Sequence, residues 1–158
     1  MDINNNLKWK RRFLKLAYEI SSWSKDTSTK VGAVIVDADG HPKSFGFNGM
    51  PQGIDDNIPS RMERPEKYLW MEHAERNAIY LADTSLKDTI MFVTHLPCPD
   101  CARGIVQKNI SRVVVDKRNG FGLERPGNED KYRVTLDLFN EAGIILDIVE
   151  MEENDEIT

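Results

Sequence analysis

The chain contains two cysteines, Cys98 and Cys101, in the sequence LPCPDC, with two residues between them. A C-x-x-C pair can serve as a redox dithiol, as half of a structural zinc site, or as part of a catalytic metal centre. We expect the pair in the first turn of a helix, CPDCARGIVQK, where the exposed N–H groups and the helix dipole favour thiolate over thiol. Two thiolates could then bind a metal ion if the chain supplies a third ligand.

A catalytic zinc ion takes three protein ligands and keeps one position for water. The chain has three histidines, His41, His73 and His95. His41 falls in the predicted turn DGHPK, where a solvated side chain is expected. His95 lies at a predicted strand end just before Cys98 and could face a substrate or orient a ligand. His73 opens the sequence HAE, and Glu75 therefore follows it by two residues at the start of a predicted helix.

The two halves together form the string H-x-E…P-C-x-x-C, which is the signature of zinc nucleobase deaminases. We therefore predict one catalytic Zn²⁺ per chain, bound by His73, Cys98 and Cys101. Side chains at a helix tip lean back toward its N-terminus, so Glu75 can address the water instead of the metal and act as the proton shuttle. A redox dithiol would leave HAE unexplained, and a closed structural site would need a fourth Cys or His with suitable spacing.

Alternating helical and strand patterns position these residues. Because helices connect the last three predicted strands, we expect those strands to be parallel. The predicted fold is a three-layer α/β/α sandwich around a mixed five-stranded sheet. Its elements are a helix over 7–24, strands over 30–37 and 43–48, a long loop over 49–69, a helix over 73–82, a strand over 89–95, a helix over 98–108, a strand over 112–116, a polar loop over 117–130, a helix over 131–142 and a strand over 144–150.

Composition limits the classes of function. The 158 residues fit a single domain over 1–150 followed by an acidic tail, 151–158, and the composition is typical of soluble globular proteins. Without a long apolar run or the apolar region of a secretion signal, we expect a cytoplasmic protein with no membrane partner. The net charge of −5 argues against nucleic acid as a partner, because nucleic-acid-binding proteins usually present a basic face.

Four stretches in order, SKDTSTKVGAVIVD, GFNGMPQGIDD, HAERNAI and LPCPDCARGIV, resemble the deoxycytidylate deaminases of the cytidine deaminase superfamily. Two of these stretches contain the motifs HAE and PCPDC, which supply the predicted metal ligands and the glutamate and mark the superfamily. GFNGMPQG is more specific, since it is similar to the G-Y-N-G-M-P-x-G of nucleotide-level enzymes. The chain departs from the pattern at Phe47, where Tyr is usual, and at Thr27, where many members have Pro.

The resemblance implies hydrolysis of dCMP to dUMP, with Asn48 contacting the sugar. Lys30, a cation near the inferred site, is a further candidate for substrate binding. It also implies a homo-oligomer, a hexamer, that dCTP activates and dTTP inhibits. Gly46, Asn48 and Gly49 are the candidates for contact with the regulatory nucleotide, which could carry Mg²⁺. Cations near the inferred site are candidates for the substrate phosphate: Lys25, Lys30, Arg61, Arg64, Lys117 and Arg118.

Three alternatives remain open from the sequence. A tRNA adenosine deaminase would use the same zinc and glutamate but should present a basic surface. A free-base or nucleoside deaminase would not need phosphate donors. A zinc-stabilised binding module without catalysis would not need the carboxylate of Glu75.

Overall fold

A computed structural model of the protein describes residues 2–119 and 129–153. Five strands form one sheet, and helices pack against it. The strands are β1 (Gly32–Val36), β2 (Pro42–Phe47), β3 (Ile90–Val93), β4 (Arg112–Asp116) and β5 (Ile145–Val149); the helices are α1 (Leu7–Ser21), α2 (Lys67–Trp70), α3 (Ala74–Leu81), α4 (Pro99–Gln107) and α5 (Glu129–Ala142); 3₁₀ turns cover Ile3–Asn5, Pro59–Arg61 and Lys117–Asn119.

The sheet order is β2-β1-β3-β4-β5. β1 runs antiparallel to both β2 and β3, whereas β3, β4 and β5 are parallel to one another. The predicted mixed sheet with its last strands parallel is therefore confirmed. Parallel strands bring their carboxyl ends to one edge, and the chain that leaves β3 reaches Cys98 at that edge.

The strands divide their side chains between two cores, one on each face of the sheet. In β1, Ala33 and Ile35 pack with α3, α4 and α5. Val34 and Val36 point to the other face and pack with α1. Because β1 is buried on both faces, its sequence GAVIV is continuously apolar, as expected for a central strand. The predicted three-layer sandwich is confirmed.

Helix α1 ends at Ser21, three residues before the predicted end at residue 24. The run SSWS explains the difference, because its hydroxyl groups hydrogen-bond the preceding turn: Ser21 Oγ donates to the carbonyl of Tyr18 at 2.6 Å and Ser22 Oγ to that of Glu19 at 2.6 Å. Serine side chains that compete for backbone carbonyls in this way disfavour continuation of a helix. The aromatic spacing that predicted a longer helix includes Trp23, which is half exposed.

The predicted loop over 49–69 contains structure that the sequence pattern did not indicate. Besides the turn Pro59–Arg61, it includes the start of α2, which is four residues long and thus too short for a detectable periodicity. The segment is closed at its base by a pair of hydrogen bonds. The N–H of Gly49 donates to the carbonyl of Glu72 at 3.1 Å, and the N–H of Glu72 donates to the carbonyl of Gly49 at 2.8 Å.

The segment after β5 returns to α1. Met151, the first residue of the predicted acidic tail, packs in the core beneath α1. Arg11 of α1 donates to the carbonyl of Glu150 and pairs with Glu152 at 2.5 Å. The remainder of that tail, 154–158, and residues 120–128 of the predicted polar loop lie outside the described residues. Among the helices of the described residues, we find none with the length and apolarity to cross a membrane.

Candidate metal centre and catalytic site

The three side chains predicted as metal ligands lie together. His73 Nδ1 is 3.4 Å from the Sγ atom of Cys98 and 3.4 Å from that of Cys101, and the three ligand atoms all lie within 4.8 Å of one another. A tetrahedral zinc ion with bonds of about 2.0 Å to nitrogen and about 2.3 Å to sulfur would hold such atoms about 3.5 Å apart. The donor set and its spacing therefore fit zinc.

Two helix N-termini position these ligands. His73 is the residue immediately before α3, and Cys98 is the residue immediately before α4, where Pro99 opens the helix. Cys101 lies in the first turn of α4 and is fully buried. Both helix dipoles thus direct their positive ends at the cluster, which stabilises two thiolates. The predicted helix over 98–108 is confirmed with Cys98 as its cap.

Helix α3 is fixed against β2 by close backbone contact. A Cβ atom at Gly46 would lie 2.5 Å from the Ala74 carbonyl oxygen and 2.5 Å from the Ala78 nitrogen, so only glycine permits this approach. Two side-chain hydrogen bonds reinforce it: Asn77 Nδ2 donates to the Phe47 carbonyl at 2.8 Å, and Ser44 Oγ donates to the Ala78 carbonyl at 2.6 Å. This docking sets the position of His73 at the start of the helix.

The cluster is electrostatically coupled in the way expected of metal ligands. A hydrogen bond between the two thiols lowers the pKa of Cys98 to about 4, with a further contribution from His73, and raises that of Cys101. The hydrogen bond to Cys98 raises the pKa of His73. Metal ions bind the deprotonated forms of these side chains, so metal binding at the cluster releases protons.

Glu75 lies in the first turn of α3 with only 4% of its surface exposed. Burial raises the pKa of its carboxyl group, and the neighbouring His73 and Cys98 act on it with opposite signs. A carboxyl group with a raised pKa holds a proton more readily than a solvent-exposed one, which suits a group that must accept and return a proton. Glu75 thus lies at the start of α3, as the HAE sequence predicts, and its role as the proton shuttle stays a prediction.

Asn48 directly follows β2, and its amide binds the segment ahead of β1. Its Oδ1 accepts from the N–H of Val31 at 2.8 Å, and its Nδ2 donates to the carbonyl of Thr29 at 2.9 Å. Its own carbonyl accepts from Ser24 Oγ at 2.7 Å. The side chain thus braces the turn before β1 and uses one of its two amide N–H groups to do so.

Most of the cations predicted to contact phosphate already contact other side chains. Lys30 is exposed, and within the described residues it forms no ion pair. The other five have neighbours of their own: Lys25 pairs with Asp56, Lys117 with Glu150 and Arg118 with Asp116, while Arg61 stacks on Trp70 and Arg64 lies over Tyr68.

A cavity of about 290 Å³ lies where the segment after β2 meets the end of α1. Its apolar wall includes Trp23 and Phe47, which meet edge to face with ring centroids 6.1 Å apart. Gly49 and residues 50–54 line another side, so the cavity is built largely by the second half of the GFNGMPQG segment. Gly46, in contrast, is buried against α3.

The remaining histidines differ in their surroundings. His41 is an exposed turn residue whose Nδ1 lies 3.2 Å from Asp37, as its sequence context predicted. His95 is half-buried, and its Nδ1 lies 2.8 Å from Thr94 Oγ1. The same hydroxyl accepts from the N–H of Gly32 at 3.2 Å, so Thr94 connects His95 to the start of β1. Sequence reasoning missed Thr94, since nothing local to FVTH indicates a partner on β1.

The chain is similar in sequence to known deaminases. Residues 7–117 match the family described as cytidine and deoxycytidylate deaminase zinc-binding region. The chain is 44% identical to an uncharacterized deaminase in the luxG 3′ region of Aliivibrio fischeri, over 87% of this chain and 90% of that one. It is 34% identical to the deoxycytidylate deaminase of Homo sapiens, over 87% of this chain and 78% of that one.

Solved structures give the same result at the level of the fold. The dCMP deaminase of cyanophage S-TIM5, in complex with dCMP and dUMP, superposes with a TM-score of 0.72 at 25% identity, over 91% of this chain and 98% of that one. The same phage protein in apo form superposes with a TM-score of 0.70 at 26% identity. The matched region, 7–117, contains His73, Glu75 and both cysteines.

Proposed function

Because the chain belongs to the cytidine and deoxycytidylate deaminase zinc-binding family, we propose that it catalyses the hydrolysis of dCMP to dUMP and ammonia. The observation that carries the proposal is the buried carboxylate of Glu75 in the first turn of α3, beside the cluster of His73, Cys98 and Cys101. Relatives named deoxycytidylate deaminase, and the similar phage structure in complex with dCMP and dUMP, support this substrate.

In this proposal His73, Cys98 and Cys101 hold the zinc ion. When bound, zinc lowers the pKa of a water molecule and so makes a nucleophile available near neutral pH. Glu75 accepts one proton from the attacking water and donates it to the ring nitrogen, which keeps it in dUMP. It then transfers the second proton, from the newly formed hydroxyl group, to the amine, which leaves as ammonia while the carbonyl forms. Because Glu75 is buried, bulk water does not compete for this proton.

Asn48 is our candidate for the sugar, through the amide N–H that its contacts with Thr29 leave available. Lys30 follows Thr29 in the same turn and is our candidate for the phosphate, because it is exposed and forms no ion pair within the described part of the chain. A charge-assisted hydrogen bond to phosphate is stronger than a neutral one, and it would favour the nucleotide over the nucleoside.

The test is ammonia release from a panel of dCMP, dCTP, CMP, deoxycytidine and an anticodon-stem RNA. We expect dCMP to be preferred over deoxycytidine by at least about tenfold in kcat/KM, which corresponds to about 1.4 kcal/mol. Equal efficiency on deoxycytidine would indicate a nucleoside deaminase, and release from RNA a tRNA adenosine deaminase. No release from any substrate by the zinc-loaded protein would indicate a binding module.

We further propose that dCTP activates and dTTP inhibits the enzyme, with Mg²⁺ accompanying the triphosphate. The support is the cavity lined by Gly49 and residues 50–54, in which Trp23 and Phe47 offer aromatic surface to a base. Lys25 and Asp56, which form an ion pair, also line it. Of the three candidates named from the sequence, Gly49 borders this cavity, Asn48 adjoins it, and Gly46 is engaged with α3.

The regulatory proposal predicts that dCTP with Mg²⁺ lowers the dCMP concentration needed for half-maximal rate and that dTTP raises it. Two states with different affinity for the effector are required for this behaviour. A hyperbolic curve unmoved by either nucleotide would remove the regulation while leaving the chemistry in place. We also expect a homo-oligomer, a hexamer, whose mass in solution can be measured by light scattering.

A further inference from the structure

Asp26 and Lys67 form an ion pair that is almost completely buried. Only 7% of Asp26 and 5% of Lys67 is exposed, and the ammonium nitrogen lies 3.3 Å from Oδ1 and 3.2 Å from Oδ2 of the carboxylate. Asp26 belongs to the connection between α1 and β1, whereas Lys67 opens α2, 41 residues later in the sequence. Burying two charges is costly, and apolar residues often stabilise a fold equally well at such a position. The pair therefore calls for an explanation beyond stability.

The carboxylate of Asp26 organises the turn that Asn48 binds. Its Oδ1 accepts from the N–H of Ser28 at 2.7 Å and from that of Thr29 at 3.2 Å. The carbonyl of Thr29 in turn accepts from Asn48 Nδ2, and the N–H of Val31 donates to Asn48 Oδ1. The orientation of the Asn48 amide thus depends on the conformation that Asp26 holds.

Lys67 lies in the segment that leads to His73, one of the three predicted metal ligands. The carbonyl of Lys67 accepts from the N–H of Met71 at 2.9 Å, which closes the single turn of α2. The next residue, Glu72, pairs with Gly49 and accepts the N–H of His73 on its carboxylate at 3.1 Å. The position of Lys67 is therefore coupled through four residues to that of Glu72 and His73.

We propose that Asp26 and Lys67 are positioning residues for deamination, which hold the substrate-binding turn 28–31, with Asn48, at a fixed distance from His73 and Glu75. Neither side chain touches the reacting atoms; the pair sets where the sugar and phosphate of the nucleotide lie relative to the metal cluster. The inference rests on the proposed function, because it takes Asn48 and Lys30 as contacts of dCMP.

The test compares the double variant Asp26→Asn/Lys67→Met and the single variant Asp26→Asn with the wild type. Asparagine keeps an oxygen at Oδ1 for the N–H groups of Ser28 and Thr29 but removes the charge. We expect both variants to fold and to bind one zinc ion, with KM for dCMP raised about tenfold or more and kcat within about threefold, the pattern of lost ground-state positioning. Lys67→Arg preserves the ion pair and should leave KM within about threefold of the wild type.

The matched control is Lys10→Met, which removes a partly buried ion pair with Asp147, 3.1 Å long, between α1 and β5. It should leave KM and kcat unchanged. A zinc-loaded Asp26→Asn protein with wild-type KM would overturn the inference, as would a rise of about tenfold in KM for Lys67→Arg or for Lys10→Met. Wild-type protein that does not deaminate dCMP would instead overturn the proposed function, and the inference with it.

Discussion

Glu75 and His73 stand two residues apart at the tip of α3, yet we expect their substitution to have different effects. Glu75→Gln preserves the shape of the side chain but removes its ability to carry a proton, so the variant should bind zinc normally while turnover falls by about 10²–10⁴-fold. Ammonia release and metal analysis on one preparation measure both quantities. Glu19→Gln, an exposed glutamate on α1, is the control. A rate near wild type in Glu75→Gln would exclude the shuttle role.

His73→Ala should instead abolish stoichiometric zinc binding, because it removes one of three ligand atoms that lie within 4.8 Å of one another. His41→Ala is a matched control, since His41 is also a histidine beside acidic groups but lies in an exposed turn. Metal content per chain after dialysis against a weak chelator distinguishes them. Retention of one zinc ion by His73→Ala, or its loss from His41→Ala, would contradict the assignment of ligands.

At the scale of elements, the docking of α3 on β2 can be tested at Gly46. A methyl group there would lie 2.5 Å from backbone atoms of Ala74 and Ala78, which cannot move aside as a side chain can. We expect Gly46→Ala to lower the free energy of unfolding by about 1–3 kcal/mol, the usual cost of overpacking. Chemical denaturation measures this value.

Gly104→Ala provides the comparison for that substitution. Gly104 lies inside α4, and its new Cβ would meet only Ile79 Cδ1 at 3.5 Å, an ordinary contact. Replacing a helical glycine by alanine usually stabilises by about 0.5–1 kcal/mol. If both variants destabilised equally, the close approach at Gly46 would not be the cause.

Much of the fold and of the candidate site could be predicted from the sequence, because the patterns that indicate them are local. Cys98 and Cys101 share one turn, His73 and Glu75 share another, and each pair adjoins a strand or helix with clear periodicity. The connection of Asp26 to Lys67 could not be predicted, because it joins residues far apart in the chain that have no shared pattern. A pairing of this kind depends on how the elements pack.

The same limit applies to short elements and to residues with more than one possible partner. Helix α2 has four residues, fewer than periodicity requires. Asn48 was predicted to contact the sugar, and its type and position suit that role, but the sequence does not indicate that most of its amide binds the backbone at 29 and 31. The contact of Gly46 with a regulatory nucleotide stays a prediction, and the sequence does not indicate the close packing of Gly46 against α3.

At the scale of the whole molecule, metal binding should contribute to stability. Zinc bound only by the folded state at about 100 times its Kd adds about 2.7 kcal/mol. For a chain of this size that corresponds to a rise of about 5–10 °C in melting temperature. We therefore expect a strong chelator to lower the melting temperature of the wild type by that amount and to leave His73→Ala unchanged.

The chelator effect should also depend on pH. The metal-free cluster has a raised pKa at His73 and at Cys101, so protons must leave as zinc binds. Zinc affinity, and with it the stabilisation by zinc, should therefore increase from pH 6 to pH 8. Calorimetric scans with and without chelator, at pH 6 and at pH 8, measure the difference in melting temperature that is due to zinc. If this difference were smaller at pH 8 than at pH 6, the ligands would not bind as deprotonated groups.

The paired hydrogen bonds between Gly49 and Glu72 allow the loop between them to change in sequence and length during evolution. They fix both ends of the intervening segment, so its residues 50–66, which precede Lys67, can be exchanged, shortened or lengthened without shifting His73. The entropic penalty of a longer loop is small, about 0.6 kcal/mol for each doubling of its length. Residues 50–66, between Gly49 and α2, therefore form a loop that can be exchanged as a unit. Grafting this loop from another deaminase should transfer ligand preference, while the recipient keeps its own metal ligands and chemistry.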